Sequence, residues 1–141
     1  MKAICSLLLL AAFLVGCGGA NLEKAVVGSW KIDSAKSSIS GDKIKTENDK
    51  KMAMAMMESF TLDVKEDKTF VMTVIFPING TWTLAGNKLT LTPKLKEGES
   101  FMGGKSTMDL DVDSSGSSMS VSMSDNGMTG TMAWKKVEAA K

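Results

Sequence analysis

The reactive side chains of this 141-residue chain are mainly sulfur groups, since it has 12 methionines and 2 cysteines but neither histidine nor tyrosine. Without histidine, a Ser-His-Asp triad, a Cys-His nucleophile and a histidine-ligated metal are excluded. The spacing of the acidic residues singles out no pair of carboxylates for glycoside hydrolysis. We therefore predict a protein that is not an enzyme, with no catalytic residues, no metal site and no cofactor.

Cys17 has the most informative surroundings of these residues. Lys2 gives a positive start, an apolar run follows from Ile4 to Val15, and small residues end it, which is the order of a secretory signal peptide. The run is shorter than the ~20 apolar residues of a membrane-spanning helix. The four residues at the end of the run resemble the lipobox of bacterial lipoproteins: Leu14, Val15, Gly16 and Cys17.

That resemblance implies cleavage before Cys17, a diacylglycerol thioether on its sulfur and acylation of the new amino terminus. Each buried methylene contributes ~0.8 kcal/mol, so two or three acyl chains anchor a protein stably to a membrane. The residue after the cysteine is Gly18 and not aspartate. By the same resemblance, a residue other than aspartate there permits sorting to an outer membrane. The expected location is therefore the periplasmic side of that membrane, in an organism that has one. An ordinary cleaved signal peptide is the alternative. The expected organisation is a signal peptide at 1–16, a lipidated tether at 17–25 and a barrel domain at 26–138.

Processing would leave a neutral domain without disulfides. The formal net charge of the whole chain is +1, and loss of Lys2 with the signal peptide would bring it to zero. The sequence contains no arginine, so we expect no nucleic-acid partner. Cys5 would leave with the signal peptide and Cys17 would be lipidated. Stability must then come from a packed core, although the compartment permits disulfides.

A single helix is predicted at 47–59, in the segment ENDKKMAMAMMES. Thr46 can cap it, with Asp49 completing a capping box. Met52, Met56 and Phe60 fall on one face at helical spacing. Met52, Met54 and Met56 also suggest a Cu(I) cluster, because thioethers suit that ion. Alternate residues of a helix point about 200° apart, however, so these three side chains do not converge easily.

The remaining sequence alternates apolar and polar residues between turn signals. Short connections predict an antiparallel meander, and eight such strands can close into a β-barrel. The fold class is therefore mainly all-β, with the helix between the first and second strands. The strands are expected at 26–33, 60–64, 70–76, 81–84, 88–92, 106–113, 118–124 and 128–137, with a break at 77–80.

Two segments resemble a known family. VVGSWKI resembles the Gly-x-Trp opening strand of lipocalins and other calycins, and NGTWTLAGNKLTLTP is similar to lipocalin-like domains of bacterial lipoproteins. In lipocalins a basic residue of the last strand packs over the first-strand tryptophan, and Lys135 or Lys136 would take that place. The resemblance thus implies a lipocalin-like barrel closed by Gly28, Trp30, Trp134 and Lys135. The helix that follows the last strand of lipocalins has no room here.

The inward-facing residues suggest a pocket for a small hydrophobic ligand, because methionine adapts to irregular apolar shapes. The expected ligand residues are Trp30, Phe70, Met72, Trp82, Met108, Met119, Met123 and Met132, with helix 47–59 as a lid. The same residues also suit a filled core. In that case the protein would be a non-catalytic envelope module that docks a partner protein through an exposed apolar patch. That patch is expected at Phe101-Met102 or on the helix.

Overall fold

The computed structural model describes residues 19–97, 99, 101, 104–125 and 127–138. Within this part of the chain the helices are α1 (Gly19–Val26) and α2 (Glu47–Glu58). The strands there are β1 (Gly28–Ile32), β2 (Ser38–Gly41), β3 (Thr61–Val64), β4 (Thr69–Thr73), β5 (Pro77–Ala85), β6 (Lys88–Pro93), β7 (Met108–Val112), β8 (Ser118–Asp125) and β9 (Met128–Lys136). No helix among the described residues combines the length and apolarity needed to span a membrane.

Eight of the strands form a closed antiparallel barrel. Each strand from β3 to β9 pairs with its neighbours in chain order, and β1 pairs with both β3 and β9, which closes the circle. Helix α2 lies between the first and second barrel strands, β1 and β3. The predicted fold class, strand number and helix position are therefore confirmed. Each of the eight barrel strands therefore has a paired neighbour on both sides.

The ninth strand, β2, pairs with the same edge of β9 as β1 does, further toward the start of β9. Trp30 is paired with Lys136 in β1, and Ser38 is paired with Thr131 in β2. Between the two strands, the Ala133 N–H donates to the Ser37 hydroxyl at 3.0 Å. The sequence predicted a loop here, because SISG offers only Ile39 as an apolar residue. Backbone pairing to β9, rather than burial, makes this segment a strand.

Helix α2 confirms the predicted helix and its cap. The Asp49 N–H donates to the Thr46 hydroxyl at 3.0 Å, and the Thr46 N–H donates to the Asp49 carboxylate at 2.9 Å. These bonds, the one with the Thr46 side chain first, lower the pKa of Asp49. The buried face differs from the predicted one, however, because Met57 packs into the core while Met52 and Met56 are exposed. Methionine on several sides of this helix left its orientation ambiguous.

Helix α1 occupies most of the segment predicted as a tether, 17–25. The first strand therefore begins at Gly28 and not at residue 26, as was predicted. Its last residue, Val26, is fully buried, and its carbonyl accepts a hydrogen bond from Trp30 Nε1 at 2.9 Å. This helix was not predicted, since its contacts come from residues distant in the chain. The segment thus forms part of the folded domain.

Strand β5 begins four residues earlier than expected. Residues 77–80 were predicted to break the chain, but Pro77 starts the strand opposite Thr73, where a missing N–H is tolerated. The reversal from β4 falls instead at residues 74–76. Phe76 was predicted on the inner face together with Phe70 and Met72. It is 76% exposed, since the bend turns it outward.

Side chains from all parts of the barrel fill its interior. The largest ones with under 2% exposure are Trp30, Trp82, Trp134, Phe70, Phe101, Leu62, Met72, Leu89, Leu91, Leu110, Met119 and Met132. Because neighbouring strands alternate in direction, the turns at 65–68 and 113–117 lie at the end of the barrel that carries α1. The bend at 74–76, the β6–β7 connection and helix α2 lie at the other end. We refer to these as the α1 end and the α2 end.

Candidate ligand-binding cleft

The barrel wall is incomplete between β7 and β8. These strands pair only at Asp111 with Ser120 and at Val112 with Met119, next to the turn that joins them. On the far sides, β7 pairs with β6 from Met108 to Asp111, and β8 pairs with β9 along its length. The two strands therefore part toward the α2 end. Continuing their register would place Met108 opposite Met123 across the gap.

A cleft of about 780 Å³ occupies this gap. Cavities of ~300–1,000 Å³ are typical of small-molecule sites in proteins. Its apolar lining comes from four strands, β2, β7, β8 and β9, and from the β6–β7 connection, and consists of Ile39, Phe101, Met108, Val121, Met123 and Met128. The register pairs Met123 of β8 with Gly130 of β9. Met128 lies two residues before Gly130 and therefore on the same face, so both methionines belong to the inner face of the barrel.

Polar groups surround this apolar floor. Asp109, Ser122 and Thr129 lie on the flanking strands, and Lys105 lies on the β6–β7 connection. The Thr90 hydroxyl donates to the Asp109 carboxylate at 2.7 Å, which holds that charge on the outer side of the sheet. Phe101 is paired with Lys105 in an isolated antiparallel bridge and is buried. The connection therefore covers the barrel end with an aromatic ring and leaves an ammonium group exposed beside the cleft.

The predicted ligand residues divide into two sets. Met108 and Met123 line the cleft. The others belong to the packed interior, and these are Trp30, Phe70, Met72, Trp82, Met119 and Met132. Trp30, Phe70 and Met72 are fully buried and do not line the cleft, so they fill the core in this conformation.

Sequence reasoning did not select Ile39, Phe101, Val121 or Met128 as ligand residues, although the cleft includes them. Val121 and Met128 did carry a signal, since alternation placed both on inner faces. Ile39 and Phe101 lie in segments without apolar periodicity, and only the tertiary fold brings them to the gap. The parting of β7 from β8 has no local signature in either strand.

The residues predicted to close the barrel lie on β1 and β9, the two strands whose pairing completes it. Gly28 opens β1, and a Cβ there would lie 2.8 Å from Lys136 Cε. Lys136, not Lys135, packs over Trp30, with Nζ 5.6 Å from the ring centroid. Strand alternation explains this exchange, since Lys136 is paired directly with Trp30. Lys135 is exposed, and its ammonium group lies 3.5 Å from the Asp33 carboxylate.

Burial lowers the pKa of Lys136. Its ammonium group donates to the Ala25 carbonyl at 2.5 Å, which links the last strand to helix α1. Trp134 is fully buried beside Ile32 on the same side of the barrel. Its Nε1 has no hydrogen-bond partner within the described part of the chain. Trp134 therefore contributes to closure by packing alone.

The structure bears on two other predicted features. On α2, Met52 and Met56 are exposed while Met54 packs partly against the core, so the three thioethers do not share one side of the helix. Among the described residues, no group of three acidic side chains is placed to hold a metal ion. The lipobox residues Leu14, Val15, Gly16 and Cys17 lie outside the described residues.

Comparison with known proteins supports the fold. No family model and no curated protein matches the chain. The structure is similar to the crystal structure of a DUF4847 family protein from Bacteroides vulgatus, with a TM-score of 0.53 and 13% sequence identity. The match covers 84% of this chain and 98% of that one. The fold is a closed eight-stranded antiparallel β-barrel, which is consistent with the lipocalin-like barrel expected from the sequence. At this identity the likeness shows the fold alone.

Proposed function

We propose that this protein is a lipid-anchored, non-catalytic binding protein that holds a small apolar molecule in the cleft between β7 and β8. The observation that supports this most is the cleft itself. It has about 780 Å³ and an apolar floor, while the barrel centre next to it is filled. The proposed ligand site therefore lies in the barrel wall, whereas the sequence suggested a site on the barrel axis.

The lining favours an elongated apolar molecule with one polar end. Met108, Met123 and Met128 have flexible thioether side chains that fit irregular apolar shapes. Lys105 is exposed at the rim, where its ammonium group would bind a carboxylate or another anionic head group. Asp109 and Asp111 also line the cleft and would keep such a head group on the Lys105 side. Fatty acids and related acyl compounds combine these two properties. Helix α2, which the sequence suggested as a lid, does not line the cleft.

The proposed anchor is the acylated Cys17, and its support is the sequence Leu14-Val15-Gly16-Cys17. The mass of the amino-terminal peptide from membrane-extracted protein tests it. A diacylglycerol thioether and an N-acyl group on Cys17 are expected. Loss of both groups, and of membrane association, is expected for Cys17→Ala. An unmodified Cys17, or cleavage elsewhere, would contradict the anchor.

Native mass spectrometry of the unlipidated domain tests the ligand. We expect a co-purifying apolar molecule, or uptake of one added fatty acid per chain. Met123→Trp should reduce uptake because the larger indole would narrow the apolar part of the cleft. Thr83→Trp, at an exposed position of β5, is the matched control and should bind normally. A clean apo mass with no uptake of added fatty acid would contradict ligand binding, and equal uptake by both variants would contradict the site.

A second candidate function is an envelope module that docks a partner protein. Ile75 and Phe76 favour it, since they are 68% and 76% exposed in the bend at the α2 end. Of the two places predicted for the patch, Phe101 is buried and Met102 lies outside the described residues. On the helix, the other predicted place, Met52 and Met56 are exposed. Phe76→Ser should weaken cross-linking to a partner without changing fatty-acid uptake. Unchanged cross-linking would remove this candidate.

A further inference from the structure

Helix α1 is held against the barrel by contacts with three separate elements. The Lys136 ammonium group of β9 donates to the Ala25 carbonyl, and Trp30 Nε1 of β1 donates to the Val26 carbonyl. Glu23 forms an ion pair with Lys68 in the β3–β4 turn. Together these contacts fix the helix at one end of the barrel.

Gly116, in the β7–β8 turn, adds a close approach to the same helix. It has a φ of +68°, and a Cβ there would lie 2.4 Å from the Ala25 Cβ. Glycine therefore lets α1 pack directly on the turn. A loosely attached tether would not require such a fit.

Only a short stretch of chain separates this helix from the proposed lipid anchor. Cys17 precedes Gly19, the first residue of α1, by two residues, which span at most about 7 Å when extended. The helix itself is about 12 Å long, at 1.5 Å per residue. The anchored residue thus lies within about 20 Å of the point where α1 meets the barrel.

The cleft opens along the barrel wall toward the opposite end of the molecule. Strand β8 starts at Ser118, beside the turn that contacts α1, and its residues Val121 to Ser124 reach the cleft. Its eight residues run about 25 Å along the strand, at ~3.4 Å per residue. The exposed Ile75 and Phe76 are also at the α2 end, in the bend after β4.

We propose that the α1 end rests against the lipid surface to which Cys17 is attached, and that the cleft faces the aqueous space. This inference rests on the proposed lipidation of Cys17. Its partner is the head-group surface of a bilayer, and the short, docked helix determines the orientation. The ligand would then arrive from the aqueous side and not directly from the membrane interior.

Site-specific fluorescence quenching on vesicles tests this orientation. The full lipidated chain is reconstituted into phosphatidylcholine–phosphatidylglycerol vesicles that carry nitroxide head groups. One label is placed at Glu66→Cys, in the turn at the α1 end, and another at Lys43→Cys, between β2 and α2; both positions are exposed. We expect several-fold stronger quenching at position 66. Equal quenching, or stronger quenching at position 43, would overturn the proposal.

Two further variants separate the helix from the lipid. Leu22→Ser with Ala25→Asp should release α1 from the barrel and bring the quenching at positions 66 and 43 close together. Lys24→Ala, at an exposed position of the same helix, should keep the difference. Retention of the full difference by the released variant would overturn the role of α1.

Vesicle flotation of the same samples distinguishes the two proposals. If the protein carries acyl groups and floats with the vesicles but shows equal quenching, only the orientation fails. If it carries no acyl group and does not float, the proposed anchor fails and the orientation fails with it.

Discussion

Trp30 and Trp82, two of the largest core residues, each have a lysine ammonium group over the ring at the α1 end. Lys136 Nζ is 5.6 Å from the Trp30 ring centroid, and Lys68 Nζ is 4.1 Å from that of Trp82. Trp82 Nε1 also donates to the Lys65 carbonyl at 2.9 Å. Each tryptophan therefore joins the apolar core to a polar barrel end through its ring face and its N–H group.

Lys136→Met should destabilise the protein more than Lys135→Met. The first change removes a cation–π contact and a hydrogen bond to Ala25, for a loss of about 1–2 kcal/mol in the free energy of unfolding. The second removes an exposed ion pair with Asp33 and should cost under about 0.5 kcal/mol. Urea denaturation measures both. Equal losses would contradict the role assigned to Lys136.

Asp113 makes the stability of the β7–β8 turn depend on pH. Burial raises its pKa, but hydrogen bonds from the Ser115 hydroxyl and from the N–H groups of Ser118 and Ser117 outweigh this and lower the pKa to about 2. Because the folded-state pKa is depressed, the contribution is complete above pH ~4 and is lost as the pH falls toward 2.

Asp113→Asn should therefore lower the urea midpoint at pH 7, and its difference from the wild type should shrink between pH 4 and pH 2. Denaturation curves across that range measure this. Asp111→Asn, on the outer face of the preceding strand, is the control and should show little change at pH 7. A difference for Asp113→Asn that stayed constant down to pH 2 would contradict the hydrogen-bonded carboxylate.

At the scale of elements, helix α2 depends on its first turn. Thr46→Ala removes the hydroxyl that accepts the Asp49 N–H, and it should cost about 1 kcal/mol in unfolding free energy. Asn48→Ala, one residue inside the helix, leaves that bond intact and should be near neutral. Circular dichroism and thermal denaturation of both variants test this. A loss from Asn48→Ala as large as that from Thr46→Ala would argue against the capping box.

The elements that sequence predicts well are those whose signals are local. Helix α2 has a capping box and helix-forming residues, and strands β3 to β9 mostly alternate between apolar and polar residues. Helix α1 and strand β2 lack such patterns. Val26 is recognisable as core only once Trp30 packs on it, and β2 exists because β9 extends far enough to pair with it. Pro77 misled the prediction because proline is tolerated at a strand start.

At the scale of the whole molecule, a filled barrel and an open cleft coexist. Sequence alternation correctly identified most inward positions, including Met108, Met123 and Met128. It could not show which of these meet solvent, because that depends on where neighbouring strands part. The parting of β7 from β8 is visible only in the strand pairing, since β8 pairs with β9 along its length but with β7 at only two positions. Core and site residues therefore share one pattern in the sequence.

The methionines provide the most direct test of the proposed ligand site. In carbon-13 methyl-methionine NMR spectra, an added fatty acid should shift the methyl signals of Met108, Met123 and Met128. The signals of Met72 and Met132, which are buried in the core, should stay in place. Those two outcomes together would locate the ligand in the cleft. Shifts of Met72 and Met132, or no shift at any methionine, would contradict the proposal that the cleft is the binding site.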